Sequence, residues 1–294
     1  MNKPLEGLYV ALTTPFVGDE IFPDKIKDNV CRLNATGVAG YLVLGSTGEC
    51  VSLTDDESLE LVRAVLDAAA PDKKVLVGTA RESTKMTIDF TESLPVSGIS
   101  AVLVRPPSYF KSKMTREALK AHYLAVAEAS RYPVLVYNMP MNTGIFLEPR
   151  LVVDLAAHPN IAGLKESGGS LACLAEVVRE VHAGFHYFIG SGHVIYPALE
   201  MGACGAILAV ANSVPEMCAE LYRLFKAGQR DDARNLQLDL VPLNKALGEV
   251  YGIAGLKYAQ DLRGYYGGPT RLPLLPVDDK GREEIAALLK RMGF

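Results

Sequence analysis

The chain of 294 residues is 49% hydrophobic and 22% charged, the balance of a water-soluble globular protein with a large core. A formal net charge of −4 gives no electrostatic case for nucleic acid or an anionic membrane, and no apolar run approaches the roughly 20 residues that a membrane span requires. Five scattered cysteines (Cys31, Cys50, Cys173, Cys204, Cys218) argue against a disulfide framework or a zinc site and point to a reduced, cytoplasmic compartment.

The N-terminal apolar run is broken by Thr13, Thr14 and Pro15, so it reads as a strand and not as a signal peptide. In chain order, apolar and β-branched runs fall near 8–13, 41–44, 75–78, 101–104, 134–137, 161–165, 187–190 and 205–210. Helical periodicity follows each of them, at 24–34, 55–70, 84–94, 116–130, 149–157, 171–182, 194–201 and 215–226. Thr54 with Glu57 makes a capping box, and Thr115 with Glu117 a weaker version. Gly37, Pro71, Gly98, Gly184, Gly202 and Gly228 punctuate the helix ends. Eight strand–helix units in strict alternation predict a parallel sheet closed into a barrel. An open, doubly wound sheet is the alternative, but no Gly-x-Gly-x-x-Gly follows the first strand. After Gly228 the pattern is helical alone, near 231–247, 254–265 and 278–292. We expect 1–228 to form a (β/α)8 barrel and 229–294 a helical extension packed on it, with no repeat beyond the β/α rhythm.

In such a barrel the chemistry gathers where strands end at their C-terminal side. The stretch Ile161-Ala162-Gly163-Leu164-Lys165-Glu166-Ser167-Gly168-Gly169 puts a lysine near the end of an apolar strand. Side chains alternate along a strand, so Lys165 and Ser167 share a face, with Gly163 beneath them. Burial disfavours the charged form of an amine, and a neutral amine is a nucleophile towards carbonyl carbon. The plainer alternative is a lysine whose head reaches solvent or pairs with Glu166. Strand 2 ends in Gly45-Ser46-Thr47-Gly48-Glu49, a loop of backbone and hydroxyl donors suited to an anion, although such residues also make ordinary turns. Strand 4 ends in Arg105-Pro106-Pro107-Ser108-Tyr109-Phe110, whose aromatic pair alone reads as packing or interface surface. Strand 5 closes on Tyr137, either a proton carrier or a core tyrosine with a satisfied hydroxyl, and strand 7 on Gly190-Ser191-Gly192-His193. Of the five histidines, His193 alone stands near a strand's C-terminal end, and none has ligand spacing, so neither metal nor cofactor is expected. Together these residues fit an amine-catalysed carbon–carbon lyase: Lys165 attacks a 2-oxo group, Tyr137 moves protons, and the loop at 45–49 holds the substrate carboxylate.

The loop Gly45-Ser46-Thr47-Gly48-Glu49, the strand end Tyr137-Asn138-x-Pro140, the strand Gly163-x-Lys165-Glu166 and the Tyr-to-Lys spacing resemble the dihydrodipicolinate synthase / N-acetylneuraminate lyase superfamily over essentially the whole chain. The resemblance implies a (β/α)8 barrel with C-terminal helices, a pyruvate-type Schiff base, and a homotetramer built as a dimer of tight dimers. It makes Lys165 the Schiff-base lysine, Tyr137 the proton-transfer tyrosine, and Ser46 and Tyr109 a hydroxyl relay, Tyr109 entering from a neighbouring subunit. Thr47 binds the carboxylate of the 2-oxo acid, with Gly48, Ser167, Asn142, Gly190 and Ile207 as further substrate positions. The synthase has an arginine where Asn142 stands, and loss of both charge and bidentate fork speaks against carboxylate recognition there. Ser167 offers a hydroxyl where the synthase has a small apolar residue, and Gly192-His193 replace the acidic pair that grips a polyol in the sialic-acid lyases.

The chain is most similar to the 4-hydroxy-2-oxoglutarate aldolase branch, through Asn142-Thr143-Gly144, His158-Pro159-Asn160-Ile161, Lys165-x-Ser167-Gly168-Gly169, Gly252-Ile253-x-Gly255-Leu256-Lys257 and Gly264-Tyr265-Tyr266-Gly267-Gly268-Pro269. That branch is mitochondrial; no transit-peptide-like extension is present, which points to a cytoplasmic relative. The expected reaction is cleavage of a short 4-hydroxy-2-oxo acid, 4-hydroxy-2-oxoglutarate first, to pyruvate and an aldehyde, glyoxylate. The alternatives are dihydrodipicolinate synthase, which condenses pyruvate with aspartate semialdehyde, and a non-catalytic binding or regulatory relative.

Overall fold

Residues 5–294 are described by the computed structural model; residues 1–4, counted above in the barrel segment, lie outside the described residues. The eight apolar runs form strands β1 (Gly7–Ala11), β2 (Gly40–Val43), β3 (Lys74–Gly78), β4 (Ile99–Val104), β5 (Val134–Asn138), β6 (Ile161–Glu166), β7 (His186–Ile189) and β8 (Gly205–Leu208). All pair in parallel, each with its neighbours in sequence, and β8 closes on β1. The fold is therefore a (β/α)8 TIM barrel.

Besides a four-residue helical turn at Pro140–Thr143 after β5, one helix follows each strand: α1 (Pro23–Leu33), α2 (Asp55–Ala68), α3 (Thr84–Ser93), α4 (Arg116–Ala129), α5 (Pro149–Ala156), α6 (Leu171–Glu180), α7 (Ile195–Glu200) and α8 (Pro215–Lys226). Strands flanked on both faces read as continuous apolar runs, and the two faces fill two cores. Leu42, Leu76, Leu103, Leu135, Phe188 and Ile207 point inward and plug the barrel. Val43, Val77, Val102, Val136, Leu164 and Ile189 point outward against the helices. Local signals set the helix starts. Thr54 Oγ1 accepts the Glu57 N–H at 3.2 Å while Glu57 accepts the Thr54 N–H at 2.8 Å, the reciprocal capping box that the sequence predicts. At α4 half of that motif survives: Thr115 accepts the N–H of Ala118, which stands where the box needs an acid.

Helices α9 (Arg230–Lys245), α10 (Gly252–Leu262) and α11 (Asp279–Arg291) complete the chain. Between α9 and α10 lies a π-helical turn over Ala246–Val250, closed by the Tyr251 N–H donating to the Ala246 carbonyl at 2.8 Å. Such turns recur at functional sites, and this one stands over the C-terminal mouth of the barrel. Among the described residues no helix is long and apolar enough to cross a membrane.

Candidate active site

The register of β5 and β6 sets Tyr137 directly beside Lys165. Alternation turns Leu135 and Tyr137 inward on β5, and Gly163 and Lys165 inward on β6. Both functional side chains are buried, Lys165 at 4% exposure and Tyr137 at 5%, and the amine lies 4.5 Å from the centroid of the phenol ring. Lys165 does not pair with Glu166. That carboxylate falls on the opposite face and accepts the backbone N–H groups of Gly168 (2.6 Å), Gly169 (2.9 Å) and Ser170 (3.2 Å), fixing the turn into α6. Burial pushes the Glu166 carboxyl above its ordinary range, and these three donors offset part of that effect. Among the described residues Lys165 forms no salt bridge, and its amine lies against the face of the Tyr137 ring.

Ser46 and Thr47 sit in a 3₁₀ turn over Ser46–Gly48. The turn is bounded by Leu44 at φ +59° and Glu49 at φ +54°, two non-glycine residues in the left-handed region. Such conformations persist when the surroundings over-determine them. Here the Thr14 hydroxyl donates to the Gly48 carbonyl at 2.6 Å, and the Glu49 carboxylate faces Lys257 Nζ at 2.6 Å and accepts the Arg271 N–H at 2.9 Å. Gly78 on β3 permits the close approach at Leu44, because a Cβ there would lie 2.0 Å from the Leu44 carbonyl oxygen.

A cavity of about 500 Å³ opens at this end of the barrel, lined by Ser46, Thr47, Tyr137, Asn142, Lys165 and Ser167. Gly190 and Ile207 also line it. Gly190 leaves room for Ser167, whose Oγ would stand 2.0 Å from any Cβ at that position. Two expected site residues lie elsewhere. Gly48 is buried behind the wall, its carbonyl taken by Thr14. Tyr109 is 81% exposed, edge-on to Phe110 with ring centroids 5.1 Å apart, and does not reach the cavity of its own chain. Its loop is anchored by Glu82, which accepts the N–H groups of Ser108 (2.8 Å) and Tyr109 (2.9 Å) and pairs with Arg105 at 2.8 Å. Partial burial opposes ionisation of Glu82, but those contacts outweigh it and hold the carboxyl below its usual range.

The roof was not legible in the sequence. Asn244 at the end of α9 and Glu249 in the π-helical turn line the cavity alongside His193. The Asn244 amide nitrogen is 2.9 Å from His193 Nδ1, and Glu249 Oε1 is 3.6 Å from the same atom. Both residues lie on the C-terminal helices, far along the chain from any strand end. A larger groove, about 800 Å³, runs between α8, α9 and the C-terminus. It is lined mainly by apolar side chains such as Met217, Leu236, Leu288 and Met292 and contains none of the residues above, so size alone does not mark the site.

A buried amine beside a phenol at the C-terminal mouth of a (β/α)8 barrel, with hydroxyl donors across a small cavity, defines a class I aldolase, a lyase working through a lysine Schiff base. The chain matches the Dihydrodipicolinate synthetase family over residues 4–292 and belongs to it. It is 34% identical over 289 residues to 4-hydroxy-tetrahydrodipicolinate synthase of Listeria welshimeri, covering 97% of this chain and 98% of that protein. The structure superposes on dihydrodipicolinate synthase from Thermotoga maritima with a TM-score of 0.93 at 29% identity, covering 98% of each chain. A prophage protein of the dihydrodipicolinic acid synthase family from E. coli K12, solved in complex with pyruvate, gives a TM-score of 0.92 at 26% identity, over 98% of this chain and 99% of that one.

Proposed function

We propose that the protein cleaves a short 4-hydroxy-2-oxo acid, 4-hydroxy-2-oxoglutarate first, to pyruvate and an aldehyde, glyoxylate. The Lys165 amine adds to the C2 carbonyl, and Tyr137 gives its phenolic proton to the departing hydroxyl, so that water leaves and an iminium remains. Tyr137 takes the proton of the 4-hydroxyl, the C3–C4 bond breaks, and its electron pair flows into the iminium to give an enamine and the aldehyde. Tyr137 returns the proton to C3, and water then releases pyruvate and the free amine. Ser46 and Thr47 hold the substrate carboxylate through neutral donors. Ser46, with Tyr109 of a neighbouring subunit, relays the proton. The E. coli neighbour's complex with pyruvate supports the 2-oxo acid half of this reading.

The observation that carries the choice of reaction is Asn142. It lines the cavity, and among the described lining residues Lys165 is the sole lysine or arginine. A semialdehyde carboxylate there meets an amide and no guanidinium, while Ser167 beside Lys165 offers a partner for the 4-hydroxyl. Condensation of pyruvate with aspartate semialdehyde is the second reading, favoured by the relatives' names at 34% identity. The protein is further taken to be a cytoplasmic homotetramer.

Borohydride in the presence of pyruvate should fix a covalent adduct on Lys165, found by mass spectrometry, and Lys165→Ala should abolish turnover. Coupled assays should detect cleavage of 4-hydroxy-2-oxoglutarate and slow or absent condensation with aspartate semialdehyde. Efficient condensation without cleavage would overturn the choice, and an adduct at another residue would overturn the Schiff base itself. Asn142→Arg should raise semialdehyde use by about one to two orders of magnitude in kcat/KM, the worth of one charge-assisted contact.

A further inference from the structure

A second buried lysine lies behind the cavity and takes no part in the chemistry above. Lys257 on α10 is 1% exposed, and its ammonium meets three partners: Glu49 Oε1 at 2.6 Å, the Pro269 carbonyl at 2.7 Å, and the face of Phe16 at 4.5 Å. Burial pushes its pKa down, and the Glu49 carboxylate works against that shift. Arg271 adds its backbone N–H to Glu49 and spreads its guanidinium over the Ser52 carbonyl at 2.7 Å and the Glu57 carboxylate at 2.7 Å and 3.0 Å. Glu49 thus gathers two donors from the C-terminal segment, and it is the residue that closes the left-handed corner of the Ser46–Gly48 turn. A buried ion pair is a poor device for stability alone, since apolar residues of like volume serve as well. It is a good device for fixing one backbone geometry, because either charge left alone is penalised.

We propose that Lys257 and Glu49 are positioning residues for the reaction: through this pair the C-terminal helices set the place of the Ser46 and Thr47 donors and so tune affinity for the 2-oxo acid. The proposal rests on the reading that this turn holds the substrate carboxylate. Neutralising the pair should let the turn relax from its left-handed corner and weaken carboxylate binding, while Lys165 and Tyr137, held by the β5–β6 ladder, keep their chemistry.

The test compares wild type with Glu49→Gln and with the double variant Glu49→Gln/Lys257→Met, which leaves no lone buried charge. Borohydride trapping of pyruvate at Lys165, titrated against pyruvate and scored as the fraction of chains labelled, should show half-saturation raised about tenfold or more in both variants, the scale of one charge-assisted contact. Complete labelling should still be reached at high pyruvate. A purely structural pair would lower the melting temperature and the fraction of competent chains without moving half-saturation. Unchanged half-saturation in the folded variants, or in the double variant alone if Glu49→Gln does not fold, overturns the proposal and leaves the aldolase reading standing. Absence of any adduct in wild type overturns the aldolase reading, and the proposal with it.

Discussion

Lys165 and Lys257 are the two buried lysines among the described residues, and their neighbours divide their work. Lys257 is held against a carboxylate, whereas Lys165 faces an aromatic ring and open cavity. Tyr137 lies against that amine and is the proton carrier proposed above, so Tyr137→Phe should lower kcat by about two to four orders of magnitude, the range for losing a positioned acid–base group, with a smaller loss for Ser46→Ala. Near-normal kcat in Tyr137→Phe would reduce the hydroxyl to a packing role. His122 offers a test of a different kind. Burial between α3 and α4 lowers its pKa from 6.5 to about 4, with Glu82 opposing, and its Nδ1 lies 2.9 Å from the Thr84 hydroxyl. Because the folded state holds the ring neutral, the unfolded chain binds more protons between those two values. The resulting stability is fully present above about pH 6.5 and is lost as pH falls towards 4, amounting to about 2 kcal/mol by pH 5. Urea unfolding of wild type and His122→Gln at pH 7 and pH 5 should show this slope in wild type alone; equal slopes would refute the assignment.

At the scale of elements, strand periodicity makes most of the site and loop contacts make the rest. Two-residue alternation on β5 and β6 was sufficient to place Tyr137 and Lys165 on the inner face, as the register shows. Strand ends were less legible. The first was expected to run to 13 but stops at Ala11, because the Leu12 N–H still bonds to Leu42 whereas that of Thr13 turns to the Asn212 side chain at 3.3 Å. The eighth stops at Leu208 and passes into a 3₁₀ turn over Val210–Asn212. A two-residue ribbon pairing Phe16–Val17 with Glu20–Ile21 was not expected, being too short for any period to register. The loops depend on room as much as on donors. At Gly190 an added Cβ would lie 2.0 Å from Ser167 Oγ, 3.0 Å from its Cβ and 3.2 Å from the Glu166 carbonyl oxygen. Gly190→Ala should cost about 1–3 kcal/mol of stability, the usual range for overpacking, and should push Ser167 from the cavity. Thermal unfolding with steady-state kinetics should show kcat/KM for the hydroxy-oxo acid falling at least tenfold with the barrel intact; unchanged kinetics would mean that Ser167 does not touch substrate.

At the scale of the whole molecule, the loops after β4 and β5 meet. Tyr109, Phe110, Met141 and Phe146 are exposed there, and Lys111 crosses to Gly144, where a Cβ would lie 3.1 Å from its amine. Exposed apolar side chains grouped on neighbouring loops are the surface at which the neighbouring copy proposed above would bring Tyr109 to a second cavity. Sedimentation at micromolar concentration should give a tetramer, and Tyr109→Asp should both shrink that species and lower kcat. A wild-type monomer with full activity would rule out any part for Tyr109 in a relay.

By itself the sequence determined the barrel, its eight strands in order, the family, and the lysine–tyrosine pair, because each rests on a period or a motif within one short stretch. Tertiary structure alone decided what stands over and behind that pair. Asn244 and Glu249 reach the cavity from helices that follow the barrel, and Lys257 and Arg271 reach Glu49 across more than 200 residues of chain. The run Gly252-Ile253-x-Gly255-Leu256-Lys257 stands out in the sequence as a point of resemblance and is silent about its contacts. Tyr109 shows the same limit, since a single chain leaves it 81% exposed. Local patterns report the period and capping of their own segment. Contacts between distant segments depend on closure of the sheet and on where the later helices find apolar surface to cover, and no window of the sequence carries that information.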